Sequence, residues 1–125
     1  MSKAQPTTIT LNIGLAPGKG SNMRTTHIAS ISLHMLSDYF GRGFKVRCEA
    51  DSRGETTMIV RITLNLFDVA EDMADVLEDV RSVARATEQD CIAVTIETET
   101  MHVGALVGPR WQDWGTFDPT KFINF

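Results

Sequence analysis

Apolar and polar residues alternate in four stretches of the chain, and this pattern predicts β-strands. In the first stretch Ile9, Leu11 and Ile13 are separated by polar residues, which is the period of a strand with one buried face. The turn residues Asp51 to Gly54 separate the second and third stretches by a short connection, which favours an antiparallel hairpin. The predicted strands are residues 8–15, 44–50, 58–64 and 91–96, with residues 102–107 as an added hairpin strand.

A different spacing, with apolar residues three or four positions apart, predicts two α-helices near residues 25–40 and 68–87. The second helix places most of its acidic residues on the face opposite its apolar stripe, as expected for a helix half exposed to water. Residues suited to the helix ends are Thr25 or Thr26 with Gly41 for the first helix, and Asp68 with Glu71 for the second.

The order strand, helix, strand, strand, helix, strand predicts an α+β fold in one domain over residues 1–125. The economical arrangement places both helices on one face of an antiparallel βαββαβ sheet. The other face must then meet solvent, the aromatic C-terminal tail or another subunit. Residues 1–7 and 108–125 are expected to be irregular tails. The predicted core is Ile28, Ile31, Leu36, Val60, Ile62, Val76, Leu77, Val80, Ile92 and Val94.

Composition narrows the classes of function. Hydrophobic residues make up 42% of the chain, which is enough for a packed core. The formal net charge of -4 argues against a general nucleic-acid binder, because such a protein needs a basic face for phosphates. No apolar run is long enough to span a membrane and no apolar signal segment follows Met1, so we expect a cytoplasmic protein. We expect Cys48 and Cys91 to be buried thiols, and the scattered histidines predict no metal site.

Two irregular segments carry residues that could contact a ligand. The loop from Gly14 to Ser21 contains Lys19 between a strand and a helix, but its glycine spacing does not fit a phosphate-binding P-loop. This loop is either a flexible surface loop or a cationic flap over an anionic ligand group. Trp114 in the tail either covers an edge of the core or forms an aromatic wall against a flat ligand.

Polar residues beside two predicted strands are further candidates. Glu55 follows the hairpin turn, where it is either an ordinary solvated residue or a carboxylate that holds a cationic ligand or accepts a proton. Gln89 and Asp90 lie between the second helix and the fourth strand. They belong either to a polar connecting loop or to a loop in which Gln89 recognises a base or a carboxylate. No catalytic triad follows from the spacing of the residues.

The segment from Glu88 to Val94 and the strand that follows it resemble the last part of the phage S-adenosylmethionine lyases, long called S-adenosylmethionine hydrolases. The shared pattern is a glutamine–aspartate–cysteine step into an apolar strand, then a short polar stretch and a glycine-containing strand. Upstream, Glu55 before the Thr-rich and Val-rich strand is similar to the family segment in which a glutamate occupies that position. The resemblance covers roughly residues 43–107.

The resemblance implies a ferredoxin-like fold and an enzyme that splits S-adenosylmethionine into methylthioadenosine and homoserine lactone without a metal or cofactor. In that reaction the substrate's own carboxylate attacks its γ-carbon, so the enzyme mainly folds the substrate and removes water from it. Family members are trimers with the ligand site at the subunit interface. In a bacterial host the activity would starve methylation and restriction systems. Glu55 is then the catalytic candidate, and the candidate substrate contacts are Phe44, Gln89, Asp90, Lys19 and Trp114.

One position departs from the family pattern. The family pairs its glutamate with a tyrosine about one strand upstream, where this chain has Phe44, and Tyr39 lies five residues earlier. Either another group replaces the hydroxyl, or the protein binds without cleaving. The alternatives are therefore a non-catalytic phage binding or inhibitor protein on the same scaffold, and a small assembly protein that uses the open sheet face.

Overall fold

The structure is a computed structural model that describes residues 5–16, 22–66, 69–90, 92–99 and 102–108. These residues form an α+β fold in which two helices accompany a five-stranded antiparallel sheet of order β2-β3-β1-β4-β5. A short 3-10 helix at Ser37–Tyr39 follows the first helix. The elements are β1 Gln5–Gly14, α1 Thr25–Met35, β2 Lys45–Ala50, β3 Thr56–Leu66, α2 Val69–Ala86, β4 Ile92–Glu97 and β5 His102–Val107.

The core lies against one face of the sheet, because the alternating apolar residues of its central strands meet in register. Leu11 on β1 stands opposite Val60 on β3 and Val94 on β4, and all three are buried. Inward residues of both helices, among them Ile28 and Leu77, belong to the same buried cluster. Nine of the ten predicted core residues are buried, and Ile31 is half-buried.

The first helix differs in detail from the prediction. Arg24, not Thr25 or Thr26, occupies the position before the first helical residue, and its side chain makes no capping hydrogen bond. The stripe that faces the core is Ile28, Ser32 and Leu36, spaced four residues apart. The buried Ser32 hydroxyl donates a 2.7 Å hydrogen bond to the carbonyl oxygen of Ile28, which satisfies its polar group without a partner outside the helix.

The strands at the start and at the edge of the sheet also differ from the prediction. β1 begins at Gln5 and Thr7 is fully buried, so residues 5–7 are part of the sheet. β2 is an edge strand whose six residues are all exposed. The expectation of a buried Cys48 is therefore wrong, since this thiol is exposed and free. Alternation correctly predicts a strand here, but it does not distinguish a covered strand from an edge strand.

Several predicted features lie outside the described residues. These are Cys91, Asp68, the side chain of its predicted capping partner Glu71, and the tail from residue 109 onward. Within the described ranges, no helix combines the length and the apolar character that crossing a bilayer requires.

Candidate functional site

Glu55 is exposed and lies in the turn between β2 and β3, one residue before β3 begins. The turn is held by Asp51, whose Oδ1 accepts hydrogen bonds from the backbone N–H groups of Arg53 at 2.8 Å and Glu55 at 2.9 Å. The backbone closes the same turn, because Asp51 N–H donates to the Glu55 carbonyl at 2.9 Å. Gly54 has a φ of 83°, which a residue with a side chain rarely adopts. Both peptide groups of Glu55 are thus fixed while its carboxylate faces solvent.

The end of the sheet beside Glu55 also contains the end of β1. The Leu15 N–H donates a 2.9 Å hydrogen bond to the carbonyl of Thr56, the residue after Glu55. Gly14 stands opposite Thr57 in the register of β1 and β3. The segment that continues from Leu15 leads into the loop of Lys19, which lies outside the described residues.

Gln89 reaches the same end of the sheet from the other side. Its side chain is buried, and its Nε2 donates a hydrogen bond to the carbonyl oxygen of Gly14. The side-chain amide therefore joins the loop before β4 to the end of β1, which is a structural contact within the chain. Asp90, the next residue, is exposed.

The position of Gln89 depends on how α2 ends. The Gln89 N–H donates to the carbonyl of Ala84 at 2.9 Å, and the Glu88 N–H donates to the carbonyl of Arg85 at 3.3 Å. This pair of bonds is the Schellman pattern, which requires a left-handed residue between the helix and its continuation. Glu88 supplies it with a φ of 54°, in a place where glycine is usual.

Phe44 lies at the opposite end of β2 from Glu55. It precedes Lys45, the first residue of β2, whereas Ala50 at the far end of β2 pairs with Thr56 beside Glu55. Six residue steps of extended chain span about 20 Å, so Phe44 and Glu55 of one chain do not meet in a single small-ligand site. Phe44 is half-buried against the core.

Phe40 is an aromatic residue that the sequence pattern did not single out. Its side chain is 52% exposed, and its ring packs edge-on against Phe44 with 4.7 Å between the ring centroids. The pair offers an aromatic surface at the start of β2, of the kind that contacts flat ligand groups. Phe40 and Phe44 are four residues apart, a spacing that brings side chains together on a helix. Because the chain between them is a turn, the helical pattern does not reveal this aromatic pair.

Tyr39 is half-buried, and its hydroxyl bonds to α2 rather than to Glu55 or Phe44. Its hydroxyl donates a hydrogen bond to Oδ2 of Asp79 on α2. Burial, followed by this hydrogen bond, raises the pKa of the Tyr39 phenol above its ordinary value of 10.0. The hydroxyl therefore stays protonated near neutral pH and serves to join the 3-10 helix to α2.

The predicted site residues thus fall into two groups. Glu55 and Gln89 belong to the end of the sheet where β1 stops and β3 starts, and Phe44 belongs to the other end. Lys19 and Trp114 lie outside the described residues. The first group provides an anionic, solvent-facing carboxylate on a rigid turn, which suits the binding of a cationic ligand group.

Comparison with known proteins gives a likeness of fold. No protein-family model matches the chain, and no curated protein matches it. Among solved structures, a phage SAM lyase in complex with S-methyl-5'-thioadenosine is similar, with a TM-score of 0.53 and 12% identity over 82% of this chain and 91% of that chain. A phage SAM lyase in the apo state gives a TM-score of 0.49 and 11% identity over 82% of this chain and 90% of that chain. The first of these structures shows that the chain shares its fold with a phage SAM lyase.

Proposed function

We propose that the protein is a phage-type S-adenosylmethionine lyase that forms methylthioadenosine and homoserine lactone. The observation that carries the proposal is the place of Glu55, an exposed carboxylate on a fixed turn at the start of β3. It stands in the segment that resembles the lyase family, within a fold shared with a phage SAM lyase. We further assign the strand order β2-β3-β1-β4 to the ferredoxin-like arrangement, with β5 as an added hairpin strand.

The proposed reaction needs no group beyond the substrate and the protein. A carboxylate oxygen of S-adenosylmethionine forms a bond to the γ-carbon, and the bond from that carbon to sulfur breaks with its electron pair going to sulfur. The products are a neutral thioether and a lactone, and no proton is transferred. Because a carboxylate and a sulfonium neutralise each other in this step, removing water from the folded substrate lowers the barrier.

Glu55 acts on the cationic parts of the substrate. Its carboxylate holds the ammonium group or the sulfonium, so that the reacting carboxylate stays free to reach the γ-carbon. Fixed peptide groups on both sides of Glu55 limit the motion of its side chain, as a positioning role requires.

A second copy of the chain completes the site in this proposal. Glu55 is exposed in the single chain, whereas the reaction favours a site from which water is removed. Phe44 lies about 20 Å away along β2, so both residues can serve one substrate only if they come from different copies. A closed homotrimer, the state that the family resemblance implies, gives three such sites, and in the host cytoplasm the enzyme would deplete the cofactor of methylation and restriction systems.

Incubation of the purified protein with S-adenosylmethionine tests the proposal. We expect methylthioadenosine and homoserine lactone, detected by chromatography and mass spectrometry. Glu55→Gln should lower the rate by at least about 100-fold while leaving the unfolding midpoint unchanged, because an exposed turn residue contributes little stability. Glu99→Gln, which removes the same charge from another exposed position, is the matched control and should keep wild-type activity.

Two results would contradict the proposal. If wild type forms methylthioadenosine and Glu55→Gln matches its rate, Glu55 has no part in catalysis. If wild type binds S-adenosylmethionine in calorimetry but forms no product, the protein is the non-catalytic binding protein instead.

A further inference from the structure

The face of the sheet opposite the core carries a cleft with a volume of about 720 Å³, here called the cationic cleft. It lies where β2, β3 and β1 run side by side, at the end of the sheet near Phe44. An adjoining depression of about 510 Å³ continues along β2 and includes Arg47 and Ile59. The cleft is lined by Thr8, Arg42, Lys45, Arg61, Thr63 and Asn65.

Positive charge is concentrated in the cleft although the whole chain has a formal net charge of -4. Lys45 stands directly opposite Arg61 in the register of β2 and β3. Like charges at directly opposed positions of an antiparallel pair destabilise the sheet, so the fold maintains this pair at some cost. Arg42 adds a third cation to the cleft, and Arg47 adds a fourth beside it.

Few carboxylates oppose these cations. Glu49 is the sole acidic residue in the sequences of β1, β2 and β3, and it lies 3.2 Å from the Arg47 guanidinium. Glu97 on β4 stands opposite Thr8 and is not among the residues that line the cleft. The three cations that line the cleft therefore outnumber the carboxylates of the same part of the sheet face.

The wall of the cleft that carries Arg42 is held against the sheet. The Thr63 N–H donates a 2.8 Å hydrogen bond to the Arg42 carbonyl. Gly43 has a φ of 61°, and a Cβ at this residue would lie 3.2 Å from the side chain of Thr63. Glycine thus permits the close approach that fixes the Arg42 backbone at the mouth of the cleft.

We propose that the cationic cleft binds a phosphate-bearing ligand of nucleotide size. Arginine and lysine donate charge-assisted hydrogen bonds to phosphate oxygens, and Thr8, Thr63 and Asn65 add neutral donors. The volume falls in the range of small-molecule sites, and among the described residues that line it none is aromatic, so it lacks the stacking surface of a single-strand binder. Within one chain this cleft lies at the opposite end of the sheet from Glu55, and its charge has the opposite sign.

Calorimetric titration with ATP and with inorganic tripolyphosphate at low salt tests the proposal. Both probes should bind with one site per chain, and binding should weaken as salt is added. Arg61→Gln should weaken each affinity about tenfold, because one charged donor is lost. Arg24→Gln, which removes the same charge from an exposed residue at the start of α1, should leave both affinities unchanged.

The two probes also identify what is recognised. Equal affinities would show that the cleft recognises the phosphate groups alone. Tighter binding of ATP would show that it recognises a nucleotide. The proposal is overturned if neither probe binds at about 1 mM, or if Arg24→Gln and Arg61→Gln lose affinity equally. It is also overturned if a single-stranded oligonucleotide binds while ATP and tripolyphosphate do not. None of these results depends on cleavage of S-adenosylmethionine, so this proposal and the lyase proposal can fail separately.

Discussion

Glu88 adopts the left-handed conformation that ends α2 without being a glycine. A residue with a Cβ is less stable in this region by roughly 1 kcal/mol. We therefore expect Glu88→Gly to be more stable than Glu88→Ala by about 1 kcal/mol in urea unfolding, although glycine usually destabilises an ordered chain. The alanine variant is the control for any contact of the glutamate side chain, because both variants lack it. Equal unfolding free energies would show that the conformation of residue 88 carries no such cost.

The hydrogen bond from Tyr39 to Asp79 gives the stability a dependence on alkaline pH. Its phenol has a raised pKa in the folded state, so the stabilisation is complete below pH 10 and declines as the unfolded chain begins to ionise above it. At pH 7 we expect Tyr39→Phe to lower the free energy of unfolding by about 1 kcal/mol.

Urea unfolding of wild type and Tyr39→Phe from pH 7 to pH 11 tests this expectation. The difference between the two proteins should shrink above pH 10, because the variant has no phenol to titrate at this position. A difference that stays constant across this range would mean that the Tyr39 pKa is not raised by folding.

Some buried residues could not be predicted from the hydrophobic pattern because they are polar. Ser32 takes an inward position on α1 and satisfies its hydroxyl within its own helix. Arg81 on α2 is 5% exposed and forms an ion pair with Glu78, and burial lowers its pKa. A pattern that treats every polar residue as outward-facing has no means of finding polar side chains that pair within their own helix.

At the scale of single elements, the turn between β2 and β3 positions Glu55 through Asp51. Loss of the Asp51 carboxylate removes acceptors for the N–H groups of Arg53 and Glu55. We expect Asp51→Ala to lower the free energy of unfolding by about 1 kcal/mol and the rate of methylthioadenosine formation by roughly tenfold.

The conservative variant separates positioning from charge. Asp51→Asn keeps an oxygen acceptor at the same place, so it should retain most of the stability and most of the rate. If Asp51→Asn loses as much activity as Asp51→Ala, the negative charge rather than the turn geometry is what the site needs.

The elements themselves follow closely from the alternation and the helical spacing. Both helices and the five strands lie where the sequence predicts them, with shifts of a few residues at their ends, such as α1 ending at Met35. The pairing register does not follow from these patterns, because it depends on contacts between distant segments. The cleft arises from that register, which places Lys45 opposite Arg61, sixteen positions away in the sequence. Neither residue is distinctive alone, so sequence reasoning did not find the cleft.

At the scale of the whole molecule, the two ends of the sheet have opposite character. The end near Glu55 presents a carboxylate, and the end near Phe44 presents aromatic rings and the cationic cleft. Sequence resemblance singled out Glu55 and Phe44 as one site, and the length of β2 separates them within the chain. The hairpin predicted from the turn at Asp51 to Gly54 is consistent with this separation, since Phe44 begins its first strand and Glu55 follows its turn.

This separation predicts that two inactive variants restore activity when they share an oligomer. Glu55→Gln lacks the carboxylate but keeps Phe44, and Phe44→Ala lacks the ring but keeps Glu55. If each site takes these residues from neighbouring copies, an equal mixture refolded together should recover about one quarter of the wild-type rate, because one pairing in four has both residues intact.

Light scattering should show a trimer for wild type and for both variants. Because Phe44 is half-buried, circular dichroism should also confirm that Phe44→Ala is folded. The matched control is a mixture of each variant with itself, which has no intact pairing and should stay inactive. A monomer in light scattering, or a mixed sample no more active than its parts, would contradict a site built from two copies. Recovery near one quarter would distinguish a shared site from independent sites, since a site within one chain gains nothing from a neighbour that carries the other substitution.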